Sequence, residues 1–352
     1  MLEDKNPQLT PVSQLGEFGL IKHLTENFSL NNESSQVSVG DDAAVINPDS
    51  KKVVVSTDVL AEGVHFNLGY APLKHLGYKA IVVNLSDIAA MNATPTQVLV
   101  SIAASNRFPV EAFEEIYAGI QLACEHYKVD LVGGDTTSSN AGLVMSITAI
   151  GLVNDDEMVK RSGAKVGDLL VVSGDLGGAY LGLQILEREH AVYLANPQMQ
   201  PEMEGYDYIL QRQLKPEART DIKKTLKELD IHPTSMIDVS DGLASEILHL
   251  SDQSKVGFRL YEDKIPMDTL MITTADEFNL NPTMAALSGG EDYELLFTIP
   301  ASEYDKIKNH PDFTIIGHVV EESEGNYMVG RGSNELIALT AQGWDAFLKS
   351  KE

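Results

Sequence analysis

Six short acidic segments are spread over most of the chain: Gly40-Asp41-Asp42, Ser56-Thr57-Asp58, Ser86-Asp87, Gly133-Gly134-Asp135, Asp238-Val239-Ser240-Asp241 and Gly289-Gly290-Glu291-Asp292. Most abut a short apolar run, such as Val53-Val54-Val55 before the second, Val129 to Val132 before the fourth and Ile237 in the fifth. A fold that buries those runs as strands is expected to bring the carboxylates out at strand ends, where functional groups are displayed. Wherever such acids meet, their mutual repulsion must be neutralised.

At 352 residues and 43% hydrophobic content, the chain is long enough for two domains, each with its own core. A net charge of −26 without a basic run excludes nucleic-acid binding through a basic face. Dispersed Asp and Glu that keep a protein soluble account for most of that charge, but not for acids flanked by glycine. Cys124 is the only cysteine, so no intrachain disulfide and no thiolate zinc site can form within one chain. It continues the helical spacing of Phe113, Ile116 and Ile120, which predicts a buried structural thiol rather than a nucleophile. Met1 to Thr10 is polar and lacks the basic start and apolar centre of a signal peptide, and no stretch approaches membrane-spanning length. The expected location is the cytoplasm.

Helical spacing of Leu15, Phe18, Ile21, Leu24 and Phe28 predicts a first helix capped by Ser13. Strands are expected around 43–46 and 53–56, a mostly buried helix over 73–91 that carries Asp87, a strand over 96–103, a helix over 110–127 and a strand over 143–153. An acid on so apolar a helix is costly without a partner. The polar stretch 154–167, with Lys160, Arg161 and two glycines, reads as a connection. The expected domains are therefore 1–153 and 154–352. Beyond the connection, strands are expected over 168–173, 235–239, 257–261, 293–299 and 313–319, with helices over 243–250 and from about Trp344. The segment 187–220, with Pro197, Pro201 and Pro216, reads as an extended insertion that joins helices and touches no motif. The fold class is α/β (mixed α+β), with mixed sheets packed with helices.

No phosphate-cradling Gly-x-x-x-x-Gly-Lys-Ser/Thr loop, His-Arg-Asp catalytic loop or Gly-x-Ser-x-Gly elbow is present. Ser173 to Gly178 is glycine-rich and stands between a strand and a helix, where a tight turn is its expected sole role. Oxygen ligands are what Mg²⁺ selects, whereas nine histidines without a ligand cluster disfavour zinc. Taken singly, each acidic segment is an ordinary turn or helix cap. Taken together, they suit a hard cation: Asp238, Ser240 and Asp241 converge from one turn, and Ser56, Thr57 and Asp58 offer side-chain and carbonyl oxygens. The competing reading is that these acids never meet in space.

The phrases Gly40-Asp-Asp-Ala-Ala-Val, Ser56-Thr-Asp-Val-Leu-Ala-Glu-Gly-Val-His-Phe66, Asn84-Leu-Ser-Asp-Ile-Ala-Ala-Met91, Gly133-Gly-Asp-Thr-Thr137, Ile237-Asp-Val-Ser-Asp-Gly-Leu243 and Gly289-Gly-Glu-Asp-Tyr-Glu-Leu295 closely resemble the thiamine-monophosphate kinase family, in family order. Gly343-Trp344 resembles its C-terminal aromatic position. The resemblance implies a two-domain aminoimidazole-ribonucleotide-synthetase-like fold that dimerises through its N-terminal domain. It also implies that ATP and thiamine monophosphate give ADP and thiamine diphosphate with the help of several Mg²⁺ ions. Carried over by position, Asp41, Ser56, Thr57, Asp58, Asp87, Asp135, Asp238 and Asp241 resemble Mg²⁺ ligands, of which Asp87, Asp135 and Asp241 are the acids expected to matter most for turnover. Tyr117, Gly134, Asp135, Arg161 and Ser240 match nucleotide contacts, with Arg161 placed as a mobile phosphate clamp. His65, Glu291 and Trp344 match contacts to thiamine monophosphate. The alternatives are another ATP-dependent member of the superfamily with a different acceptor, or a non-catalytic module that binds Mg²⁺ or nucleotide. The reactive N-terminal Cys or selenocysteine of selenophosphate synthetase is missing.

Overall fold

The computed structural model describes residues 9–39, 44–333 and 335–341. Asp41, Trp344 and the helix expected from Trp344 lie outside the described residues. The chain divides into two compact units, one within residues 1–85 and 95–152, the other within 86–94 and 153–352.

The first unit holds α1 (Gly16–Thr25), β1 (Ser35–Val37), β2 (Val45–Ile46), β3 (Lys52–Ala61), most of α2 (Leu73–Ala90), β4 (Thr94–Ala104), α3 (Val110–Tyr127), β5 (Asp130–Ser138) and β6 (Val144–Val153). Its main sheet has the order β3-β6-β4-β5, and the short strands β1 and β2 pair separately. β4 and β5 run parallel, a pairing that needs a crossover, and α3 supplies it. α3 follows Pro109 and stops where Lys128 turns into the left-handed conformation, with φ 56°. Cys124 is buried in it, and burial lifts its thiol to about 12, which makes it inert as a nucleophile.

α2 and α3 touch backbone to backbone. A methyl group at Gly77 would lie 2.0 Å from the Ile116 carbonyl oxygen, and one at Gly119 would lie 1.9 Å from that of Lys74. Gly119→Ala is therefore expected to force the helices apart and destabilise the protein by about 1–3 kcal/mol, seen as a lower denaturation midpoint in urea. An unchanged midpoint would show that the helices separate at no cost.

The buried Asp130 carboxylate accepts hydrogen bonds from the Asn31 and Asn32 amides and the Ser35 hydroxyl, which ties the segment before β1 to β5. β3 is an edge strand, and three of its valines, Val53, Val55 and Val59, are 47%, 60% and 49% exposed.

The second unit holds β7 (Leu169–Ser173), α4 (Gly178–Ala195), α5 (Asp207–Leu214), α6 (Asp221–Glu228), β8 (Ser235–Asp238), α7 (Leu243–Ser254), β9 (Gly257–Tyr261), α8 (Thr269–Glu277), α9 (Pro282–Ser288), β10 (Leu295–Ile299), α10 (Tyr304–Ile307), β11 (Phe313–Val320), β12 (Asn326–Val329) and β13 (Leu336–Ala338). The sheet order is β13-β12-β9-β11-β7-β10-β8. Every neighbouring pair is antiparallel except β12 with β9, so the mixed α/β class holds in sheets of mixed direction. Its core includes Val171, Met236, Phe297 and Phe313, the two phenyl rings meeting edge to face at 5.4 Å. Residues 86–94, the end of α2 and the turn after it, join this core through Ala89 and Ala90.

Two sequence expectations are corrected here. Asp58 and Asp135 lie inside β3 and β5 rather than at strand ends, because the pair Gly133-Gly134 continues the strand instead of turning it. A Cβ at Gly134 would sit 1.9 Å from the Val100 carbonyl oxygen, so glycine is what admits the close approach of β4. The segment 187–220 is also more than an insertion: it completes α4, forms α5 and supplies contacts to the last acidic motif.

Candidate active site

In the first unit, strand geometry sorts the Ser56-Thr57-Asp58 run. Side chains alternate across a strand, so Ser56 and Asp58 share a half-buried face and Thr57 points to the exposed one. The Thr57 hydroxyl donates to the Ile147 carbonyl at 2.8 Å and accepts from Thr148. The Asp58 amide, on the free side of an edge strand, donates to the buried Asn84 side chain of α2 at 2.9 Å. Asn84 is a positioning residue that the motif contained but whose task was not apparent before the fold. His65 Nδ1 accepts from the Ala61 amide at 3.1 Å, closing the turn at the end of β3. Asp135 is exposed on β5 and pairs in register with Ser101. Tyr117, expected at the nucleotide, is a core residue: burial raises its hydroxyl to about 12, and that hydroxyl is bonded to Thr136, beside Asp135.

In the second unit, the structure gathers Asp87, Asp238, Ser240, Asp241, Arg161 and Glu291. Asp238 ends β8, is buried, and accepts from the buried Ser86 hydroxyl at 2.7 Å. Burial first, and the like charge of Asp87 second, push the Asp238 carboxyl up to about 7. The like charge of Asp87 on the buried Asp238 is an arrangement that suits a cation. Asp241 is also raised, by burial, while His249 and Arg161 pull it down. The exposed Arg161 acts on Asp238, Asp241 and Glu246 alike. Around it the Lys160 carbonyl accepts from the Met236 amide at 2.9 Å, and Ser254 bonds the Arg161 carbonyl and the Gly163 amide.

Glu246 was not singled out from sequence. It is buried at the start of α7, accepts from the Asp241 amide at 3.0 Å, and is raised to about 8 by burial first, with Asp238 and Asp241 adding to the shift. The readable signal was an acid in the first turn after Asp-Gly, a capping arrangement. The Asp238 to Asp241 turn is locked against the last acidic motif. The Glu291 amide donates to the Ser240 carbonyl at 2.7 Å and the Tyr293 amide to that of Val239 at 2.8 Å. Gly290, Glu291 and Tyr293 are all left-handed, with φ 70°, 59° and 53°. This strained turn sets Glu291 beside Ser240 and Asp241.

Asp292 has a structural task. It is buried and accepts from the Gly177 amide at 2.7 Å and from Ala179, so a carboxylate of the chain itself fills the N-terminus of α4. The glycine-rich turn before α4 is accordingly a turn and not a phosphate cradle. Glu294, also buried, accepts from Ser173, from Arg212 at 2.8 Å and from Arg219 at 2.6 Å.

The donor set is all oxygen, which suits Mg²⁺ and not zinc. Among the described residues no three His, Cys, Asp or Glu side chains close into a cage. The Asp87 and Asp238 pair still fits Mg²⁺, because this ion keeps several waters and is usually held by one or two carboxylates together with substrate phosphates. A buried acid repelled by a half-buried one is stabilised by such a charge.

Residues 40–153 match the family model of the AIR synthase related protein N-terminal domain, and residues 165–330 match that of the C-terminal domain. The thiamine-monophosphate kinase of Aquifex aeolicus (strain VF5) is 35% identical over 337 residues, 96% of this chain and 99% of that protein. A solved structure of AaThiL complexed with AMPPCP and TMP is 33% identical, with a TM-score of 0.73 over 95% of this chain and 98% of that one. The thiamine-monophosphate kinase structure from Stenotrophomonas maltophilia K279a has a TM-score of 0.75 at 27% identity, over 90% of this chain and 95% of that one. End-to-end relatedness of this extent, with both family models matched in the same chain, places it in the thiamine-monophosphate kinase family of AIR synthase related proteins.

Proposed function

We propose that this enzyme transfers the γ-phosphoryl group of ATP to thiamine monophosphate, giving ADP and thiamine diphosphate. The observation that carries this reading is the buried Asp238, bonded to Ser86 next to Asp87 in the chain, in a protein related over nearly its whole length to enzymes named for that reaction. The relative complexed with AMPPCP and TMP supports ATP as donor and thiamine monophosphate as acceptor.

The acceptor is itself a phosphate with an ionised oxygen near neutral pH, so in-line attack on the γ-phosphorus needs no strong general base and no phosphoenzyme. Bringing two anions together is the obstacle. Asp87, Asp238 and Asp241 of the second unit, and Asp41, Ser56, Thr57, Asp58 and Asp135 of the first, would hold Mg²⁺. When bound, Mg²⁺ supplies positive charge that offsets phosphate repulsion and charge developing on the transferred group. Arg161 adds a guanidinium, the donor best matched to phosphate oxygens. Gly134 and Ser240 contact the nucleotide, while His65, Glu291 and Trp344 contact thiamine monophosphate.

Among the described residues no helix is long and apolar enough to cross a membrane, and the proposed location is the cytoplasm. The exposed valines of β3 support a homodimer formed through the first unit.

The test is ADP release with and without thiamine monophosphate. Release that depends on the acceptor is the expected result. Tight nucleotide binding without turnover would instead favour a binding module, and turnover only with another acceptor would favour a different branch of the superfamily.

A further inference from the structure

The turn that carries Asp238, Ser240 and Asp241 is gripped from two sides. Toward the last acidic motif, the Val239 amide donates to the Glu294 carbonyl at 2.8 Å and the Glu291 amide to the Ser240 carbonyl at 2.7 Å. Glu291 is itself steadied from α5, where the Gln213 side-chain amide donates to Glu291 Oε2 at 2.7 Å. Toward α7, the Asp241 amide donates to Glu246 Oε1 at 3.0 Å, and the Ser240 hydroxyl comes within 3.5 Å of the same oxygen. The Ser240 carbonyl and the Asp241 amide belong to one planar peptide unit, so that unit is bonded at both of its polar ends.

The Glu246 side chain serves this turn rather than its own helix. The amides that a helix start leaves without a partner are those of the cap residue and the first turn, here Gly242 to Ser245. Glu246 reaches past them to an amide outside the helix. Its root is fixed, because its own amide donates to the Gly242 carbonyl at 3.2 Å. Gly242, with φ 111°, is wedged against α9, where a Cβ would lie 2.6 Å from the Leu287 carbonyl oxygen. Glu246 is buried and Asp241 half-buried. A buried acceptor thus holds the peptide from which a more accessible acid springs.

We propose that Glu246 is a positioning residue of the cation site, which fixes the Ser240–Asp241 peptide and so sets the Asp241 carboxylate in the pose that receives Mg²⁺. This rests on the reading of Asp241 as a Mg²⁺ ligand. Groups that orient a ligand from behind are worth about 10- to 100-fold in metal affinity. What counts in this role is reach and not charge, because an amide asks only for an acceptor oxygen in the right place.

Two variants separate reach from charge. Glu246→Asp keeps the carboxylate but is one methylene too short to meet the Asp241 amide, and Glu246→Gln keeps an acceptor oxygen at full length. Titrating the full chain with Mg²⁺ alone, while the melting midpoint is followed, reads metal affinity without turnover. Glu246→Asp is expected to weaken that affinity about tenfold and to raise the Mg²⁺ needed for half-maximal ADP release, whereas Glu246→Gln stays near wild type. In an Asp241→Asn background, Glu246→Asp should have no further effect. A merely structural role would lower the midpoint without Mg²⁺ and leave the affinity as it was. Wild-type Mg²⁺ affinity in Glu246→Asp, or equal weakening in Glu246→Gln, would overturn the proposal. Should Glu246→Asp fail to fold, Glu246→Met, which lacks the acceptor at similar volume, takes its place in the comparison. Unchanged Mg²⁺ affinity in Asp241→Asn sinks the metal role of Asp241, and this proposal with it. Weakened affinity there, beside an unaffected Glu246→Asp, sinks this proposal alone.

Discussion

Asp87→Asn is expected to lower turnover by on the order of a hundredfold or more, through lost metal affinity, and Asp135→Asn and Asp241→Asn should do the same. The substitution keeps the side-chain volume and removes one charge. At position 87 the charge removed is one that repels the buried Asp238, so folding should not suffer. The expected signature is thus separation: activity collapses while the thermal midpoint stays level or rises. Steady-state rates measured across a Mg²⁺ series, beside a melting curve, decide it. Near-normal rates for all three variants at saturating Mg²⁺ would defeat the proposed metal role.

The largest effect on stability is expected at Arg212. Its guanidinium bonds Glu294, the Asp175 carbonyl and the Asp292 carbonyl, and it approaches the Asp292 carboxylate. Replacing it by Met leaves two buried acids short of their main cation, a loss of about 3–5 kcal/mol. Arg219, which also bonds Glu294, limits the damage without removing it, because it does not bond Asp292. Glu228→Ala is the control: its ion pair with Lys224 is exposed on both sides, so its removal should cost less than about 1 kcal/mol. Urea denaturation of both variants makes the comparison. A loss below about 1 kcal/mol for Arg212→Met would mean that the acids of the motif are held by something else.

Much of the fold was legible because its signals are local. The spacing of Phe113, Ile116, Ile120 and Cys124 predicts a helix over 110–127, and the helix covers Val110–Tyr127. The strands over 257–261 and 313–319 stand within a residue of their expected limits, since apolar, β-branched runs bounded by turn residues survive any tertiary context. Among the helices that were missed are Thr269–Glu277 and Pro282–Ser288. They are short, so their periodicity is weak, but each carries a start signal: Asp268 caps the Leu270 amide, and Asn281 caps those of Thr283 and Met284, with Pro282 at the first helical position.

At the site, residue identity was more legible than residue task. The motifs named Asp58, Asp135 and Glu291, but whether an acid ends a strand or sits inside one depends on the neighbouring strand, as Gly134 against Val100 illustrates. The tasks of Arg212 and Gln213 were hidden for a similar reason. They stand in a segment whose composition reads as a spacer, and their partners lie 82 and 78 residues away along the chain. Asp292 shows the converse, an acid in a functional motif that serves a helix end.

The strand order of the second unit has a consequence for how the chain is made. β7 lies between β10 and β11, so the first strand of that sheet to leave the ribosome has both neighbours near the far end of the message. While more than a hundred residues are still being added, Leu170, Val171 and Val172 have no partner strand to close over them. Non-local pairing of this kind slows folding and leaves apolar edges open to misassembly. Synthesis of this enzyme should accordingly depend on chaperone capacity more than its finished, well-buried sheet would suggest, and truncation before residue 295 should yield a species that aggregates rather than a smaller domain.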